Sequence, residues 1–178
     1  MRRKGRIHVV PDDFIGFFAG AAGAAAALIG LLFVAISVRA ESVLGTGASA
    51  QARAVAGSAF TALINSFFVS LIALIPDNNL GYAAVLMAVV SMASTVRLHR
   101  GLGKGESAVP LLLLAMAAFL TQFVAGAFLI ARPADQNLVY FVAYVLVASF
   151  AAGLGRAWSL MQGRHTPAVP EGQLQDAS

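Results

Sequence analysis

Residues 14 to 38 read FIGFFAGAAGAAAALIGLLFVAISV, 25 positions without a charge or a proline. At about 1.5 Å of rise per residue, this stretch crosses a hydrocarbon core of roughly 30 Å with some tilt to spare. It commits the chain to a transmembrane helix, and the remainder to elements that pack beside one. The rest of the sequence agrees. Of its 178 residues 59% are hydrophobic and 11% charged, and its mean hydropathy is +0.81. Soluble domains average about 25% charged residues, so a soluble enzyme or binding module is excluded. The basic start MRRKGR is like the n-region of a signal peptide, yet the apolar run is about twice the usual length of a cleaved one. An uncleaved span is expected.

Four more apolar stretches follow. The second runs from about 54 to 75 and ends at the turn signal Pro76-Asp77-Asn78-Asn79. The third, about 80 to 96, starts at once, so the two form an antiparallel hairpin; its length predicts a nearly upright helix. The fourth, about 108 to 131, carries Pro110 in its first turn, and the fifth occupies about 137 to 160 after the turn Arg132 to Gln136. Tyr140 and Trp158 stand near the two ends of that fifth span, as an interfacial aromatic belt requires, and Arg156 is placed to snorkel. The expected architecture is an all-α integral membrane bundle of five transmembrane helices over 14–161. A basic tail, 1–13, precedes it and a disordered tail, 162–178, follows. Within the first tail, Pro11-Asp12-Asp13 suits a helix entry, because aspartates favour the positive end of the helix dipole.

The net charge of +4 sits in tails and loops beside the spans. Anionic lipid headgroups are therefore the expected contacts of the basic loops, and nucleic acid is not. With five spans the termini lie on opposite sides. The loop 97–107 carries Arg97, Arg100 and Lys104, whereas 76–79 carries no basic residue and 132–136 carries one. This difference favours N-outside and C-inside, although Arg2, Arg3, Lys4 and Arg6 pull the other way.

No ionisable residue occupies the central part of any span, so the buried carboxylates and histidines of proton-coupled machinery are missing. His8, His99 and His165 share no ligand spacing, which excludes a metal site. No cysteine is present, which excludes disulfide and thiolate chemistry. The glycines of 101–105 lack the spacing and the preceding strand of a phosphate loop. No cofactor and no catalytic set emerges, and the chain reads as a non-enzyme.

Two features remain. In the first helix Gly16 and Gly20 form a GxxxG pair, and Ala22, Ala26 and Gly30 extend a run of small residues that lets another helix approach closely. In the membrane interior Asn65, with Thr61 and Ser58 one turn and two turns away, lies in span two, and Thr121 and Gln122 lie in span four. Asn65 and Gln122 either serve as interhelical glue or line a neutral polar path in a small oligomeric channel or transporter. The first use makes the chain a structural or regulatory component, held to itself, to further copies or to a membrane protein partner by the small-residue face.

The start Asp13-Phe14-Ile15-Gly16-Phe17-Phe18, the Ala/Gly run and the core Gly30 to Ser37 (GLLFVAIS), followed by a charged loop and SLIALIP, resemble a family of small actinobacterial membrane proteins. Some members carry the automatic label of FtsH protease modulator. The resemblance, strongest over residues 13 to 76, implies a multi-pass protein of the bacterial plasma membrane. It supplies no catalytic or ligand residue.

Overall fold

The computed structural model describes residues 10–38, 40, 43, 45, 50–76, 78–100, 108–133 and 135–161, with the side chains of 108–111 and 159–161 set aside. Of the expected tails, residues 1–9 with Arg2 to Arg6 and His8 and residues 162–178 with His165 lie outside the described residues, as do Lys104 and the glycines of 101–105; residues 10–13 are described, and Val10 is buried in the core.

A 3-10 turn, Asp12–Phe14, leads into five helices: α1 (Ile15–Val38), α2 (Ala50–Ala73), α3 (Leu80–Arg100), α4 (Ala108–Ala131) and α5 (Gln136–Met161). All five are long and apolar enough to cross a membrane. The chain is an integral membrane protein of multi-pass type. Its near end holds the start of α1 and the turns 74–79 and 132–135. Its far end holds the last turns of α1, α3 and α5 and the first turns of α2 and α4.

Local chemistry sets the helix ends. Phe14 N–H donates to Pro11 O at 2.9 Å, and Asp12 and Asp13 sit exposed in the first turn, where their charge meets the helix dipole. Asn79 caps α3 by accepting from Gly81 N–H at 2.8 Å, and Asp135 caps α5 by accepting from Asn137 N–H at 3.0 Å. Two boundaries differ from the sequence reading. α2 begins at Ala50 and closes at Ala73, because Leu74 and Ile75 already make i-to-i−3 bonds ahead of Pro76. α3 continues to Arg100, four residues past the expected end. Arg97, His99 and Arg100 occupy its last turn, where positive charge is favoured, so the hydrophobic stretch ends before the helix does.

α2 is the central element. It packs against α1, α3 and α5, while α3 and α4 form the most intimate pair. The main core lies in the near half: Phe14 of the 3-10 turn and Phe18 of α1 meet Val69, Leu80, Leu129 and Leu146 from the other four helices. Phe14 also stacks edge-on against Tyr140, ring centroids 4.6 Å apart. A smaller cluster around Leu32, Ala59 and Leu63 joins α1 to α2 in the far half.

Candidate functional site

α2 and α4 each carry one amide side chain at mid-membrane, and the two amides meet. Asn65 Nδ2 donates to Gln122 Oε1 at 2.9 Å, and Gln122 Nε2 donates back to Asn65 Oδ1 at 2.9 Å. Both residues are fully buried. The second Gln122 Nε2 proton reaches Ala84 O of α3 at 3.1 Å, and Ser91 Oγ of α3 donates to Asn65 Oδ1 at 3.4 Å. Three helices are thereby tied at one level. A polar group left unpaired in an apolar surround costs several kcal/mol, so a reciprocal amide pair is favoured over two separate amides.

The neighbouring polar residues do not enlarge this cluster. Ser58 Oγ donates to Val55 O, Thr61 Oγ1 to Gly57 O at 2.9 Å, and Ser66 Oγ to Ala62 O at 3.1 Å, all within α2. Thr121 is exposed and donates to Ala117 O of its own helix at 2.8 Å. Of the polar residues singled out from the sequence, only Asn65 and Gln122 bond across helices. Ser91 and the Ala84 carbonyl were missed. Ser91 is one serine among many, and a backbone acceptor leaves no mark on sequence. Among the described residues there is no group of three or more metal-ligating side chains.

The small residues of α1 divide between two faces. Phe18, Ala22, Ala25 and Leu32 are buried against the bundle, whereas Gly16, Gly20, Ala26 and Gly30 are exposed. The expectation that Gly16, Gly20, Ala22, Ala26 and Gly30 form one stripe is corrected here. A turn of 3.6 residues sends Ala22 inward while Gly16, Gly20, Gly23, Ala27 and Gly30 share the outer side. A methyl group placed on Gly16, Gly20, Gly23 or Gly30 would meet nothing within 4 Å. The close helix contact inside the bundle lies elsewhere. A methyl on Gly81 of α3 would stand 2.6 Å from Gly126 O and 2.7 Å from Ile130 N, both on α4. Asn79 reinforces this crossing by donating from Nδ2 to Leu129 O at 3.4 Å. Its sequence signal is the buried series Gly81, Ala84 and Ala88 opposite Gly126, a small-residue seam of the kind first sought in α1.

Charge also divides between the ends. Among the described residues the far end carries Arg53, Arg97, Arg100 and Arg156 and no carboxylate. The near end carries Asp12, Asp13 and Asp135 with Arg132. Compared with protein-family profiles, curated proteins and solved structures, the chain matches none.

Proposed function

We propose that the protein is a non-enzymatic structural or regulatory component of a bacterial plasma membrane, oriented N-outside and C-inside. Another transmembrane helix, from a second copy or a membrane protein partner, packs on the outer face of α1. One observation carries this reading: Gly16, Gly20, Gly23 and Gly30 expose their backbone on one side of a helix and nothing among the described residues occupies it. Glycine weakens a helix by about 1 kcal/mol relative to alanine, and close backbone approach by a neighbour offsets that cost. The far-end arginines support the orientation, since basic residues gather on the cytoplasmic side.

The amide pair supports a structural role for the interior. Asn65 and Gln122 spend their side-chain acceptors on each other and on Ser91, inside a three-helix junction. A channel would instead show flux in liposomes that Asn65→Leu alters; no flux is expected. The reading is tested by co-purification from membranes. Gly20→Leu and Gly30→Leu should each weaken association with the tagged second copy or partner, and full association in both variants would contradict the proposal.

A further inference from the structure

α1 is tight at one end and open at the other. In the near half Phe14 and Phe18 are buried in the core. In the far half α1 stands away from α5 and leaves an apolar groove of about 420 Å³. Leu28, Leu32, Ala35 and Ile36 of α1 form one wall, Leu154 and Ala157 of α5 the other, and Leu63 of α2 the floor. Val43, beyond the end of α1, also lines it and is buried. Every lining side chain is Leu, Ile, Val or Ala.

Size and place decide what such a groove takes. It follows α1 from Leu28 to Val38, a rise of about 15 Å, which is the depth of one leaflet of a roughly 30 Å hydrocarbon core. Its volume falls in the range of ligand sites, about 300–1,000 Å³. Its walls offer nothing to a polar ligand, and it opens where the surrounding solvent is acyl chain. The membrane face above it is the far end, where Arg156 adjoins Ala157 of the α5 wall, while Arg97 and Arg100 end α3, which packs on α2 and α4. We infer that the groove between α1 and α5 holds one acyl chain of an anionic phospholipid, whose headgroup lies at the arginine-bearing end. The apolar walls select a chain, and the charge above them selects a negative headgroup over a zwitterionic one. The lipid fills space beside the far-half cluster in which Leu28, Leu32 and Ile36 of α1 pack with Leu63 of α2 and Ala157 of α5.

The protein carries its own probe. Trp158 is the single tryptophan, exposed, adjacent to Ala157 and one turn from Leu154 on the same face of α5. The full chain is reconstituted in mixed phosphatidylcholine–phosphatidylglycerol vesicles, with the bromine quencher placed on one lipid and then on the other. At equal mole fraction, brominated phosphatidylglycerol should show about fivefold higher apparent association at Trp158, the preference one arginine at the surface supplies. Ala157→Phe and Ala35→Phe fill the groove from opposite walls; helix content by circular dichroism identifies a variant that has folded. In either folded variant the excess should fall to the phosphatidylcholine level. Equal quenching by the two lipids would overturn the assignment. So would an excess that survives in both variants, which places the anionic lipid around the bundle rather than in the groove, or an absence of quenching, which places protein there instead.

Discussion

Asn65 and Gln122 illustrate how polar side chains are used where no water competes. Each donates to the other, and each oxygen accepts. Interhelical hydrogen bonds of this kind contribute about 0.6–2 kcal/mol in membranes. A double-mutant cycle with Asn65→Leu and Gln122→Leu, read by reversible unfolding in mixed micelles, should return a coupling in that range; additive losses would show that the pair carries no joint energy. Glycines supply the contrasting case. Gly81→Ala forces a methyl against the Gly126 carbonyl and Ile130 backbone, neither of which is a flexible side-chain end. It should destabilise the fold by about 1–3 kcal/mol in the same assay. Gly20→Ala has open space and a better helix former, so it should be neutral or stabilising by up to about 1 kcal/mol. The two amides were visible in the sequence because uncharged spans make any amide conspicuous. Ser91 was not, since a serine can satisfy itself on its own helix, as Ser66 does.

At the scale of the element, apolar length identified all five helices and their order. It misplaced ends wherever a helix outlasts its hydrophobic stretch, as α3 does through Arg97 and Arg100. Which face of α1 turns inward was also beyond the pattern. Its positions are apolar nearly all round, so no polar side marks the outside. The large Phe14, Phe18 and Leu32 decide it by filling the core, and the glycines are left on the other side. α1 is accordingly the most peripheral span: 17% of its apolar window is buried, against 44% for α2 and for α3. Replacing Gly20 or Gly30 by leucine should therefore leave monomer unfolding unchanged while lowering association, a separation that a core glycine such as Gly81 cannot give.

For the whole molecule, the far-end arginines among the described residues favour one orientation, against the pull of Arg2, Arg3, Lys4 and Arg6. The absence of cysteine gives a clean background for testing it. In intact cells Asn78→Cys should react with an impermeant thiol reagent and Leu102→Cys should be protected; the reverse pattern would invert the bundle. The same background serves the central claim, that the exposed glycine face of α1 is where another transmembrane helix packs. Single cysteines at positions 16 to 32, each carrying a thiol-linked benzophenone, are photolysed in native membranes and scored for protein adducts. Adducts are expected at Gly16, Gly20, Gly23, Ala27 and Gly30 and none at Phe18, Ala22, Ala25 and Leu32. Adducts absent throughout, or spread without helical period, would contradict that claim.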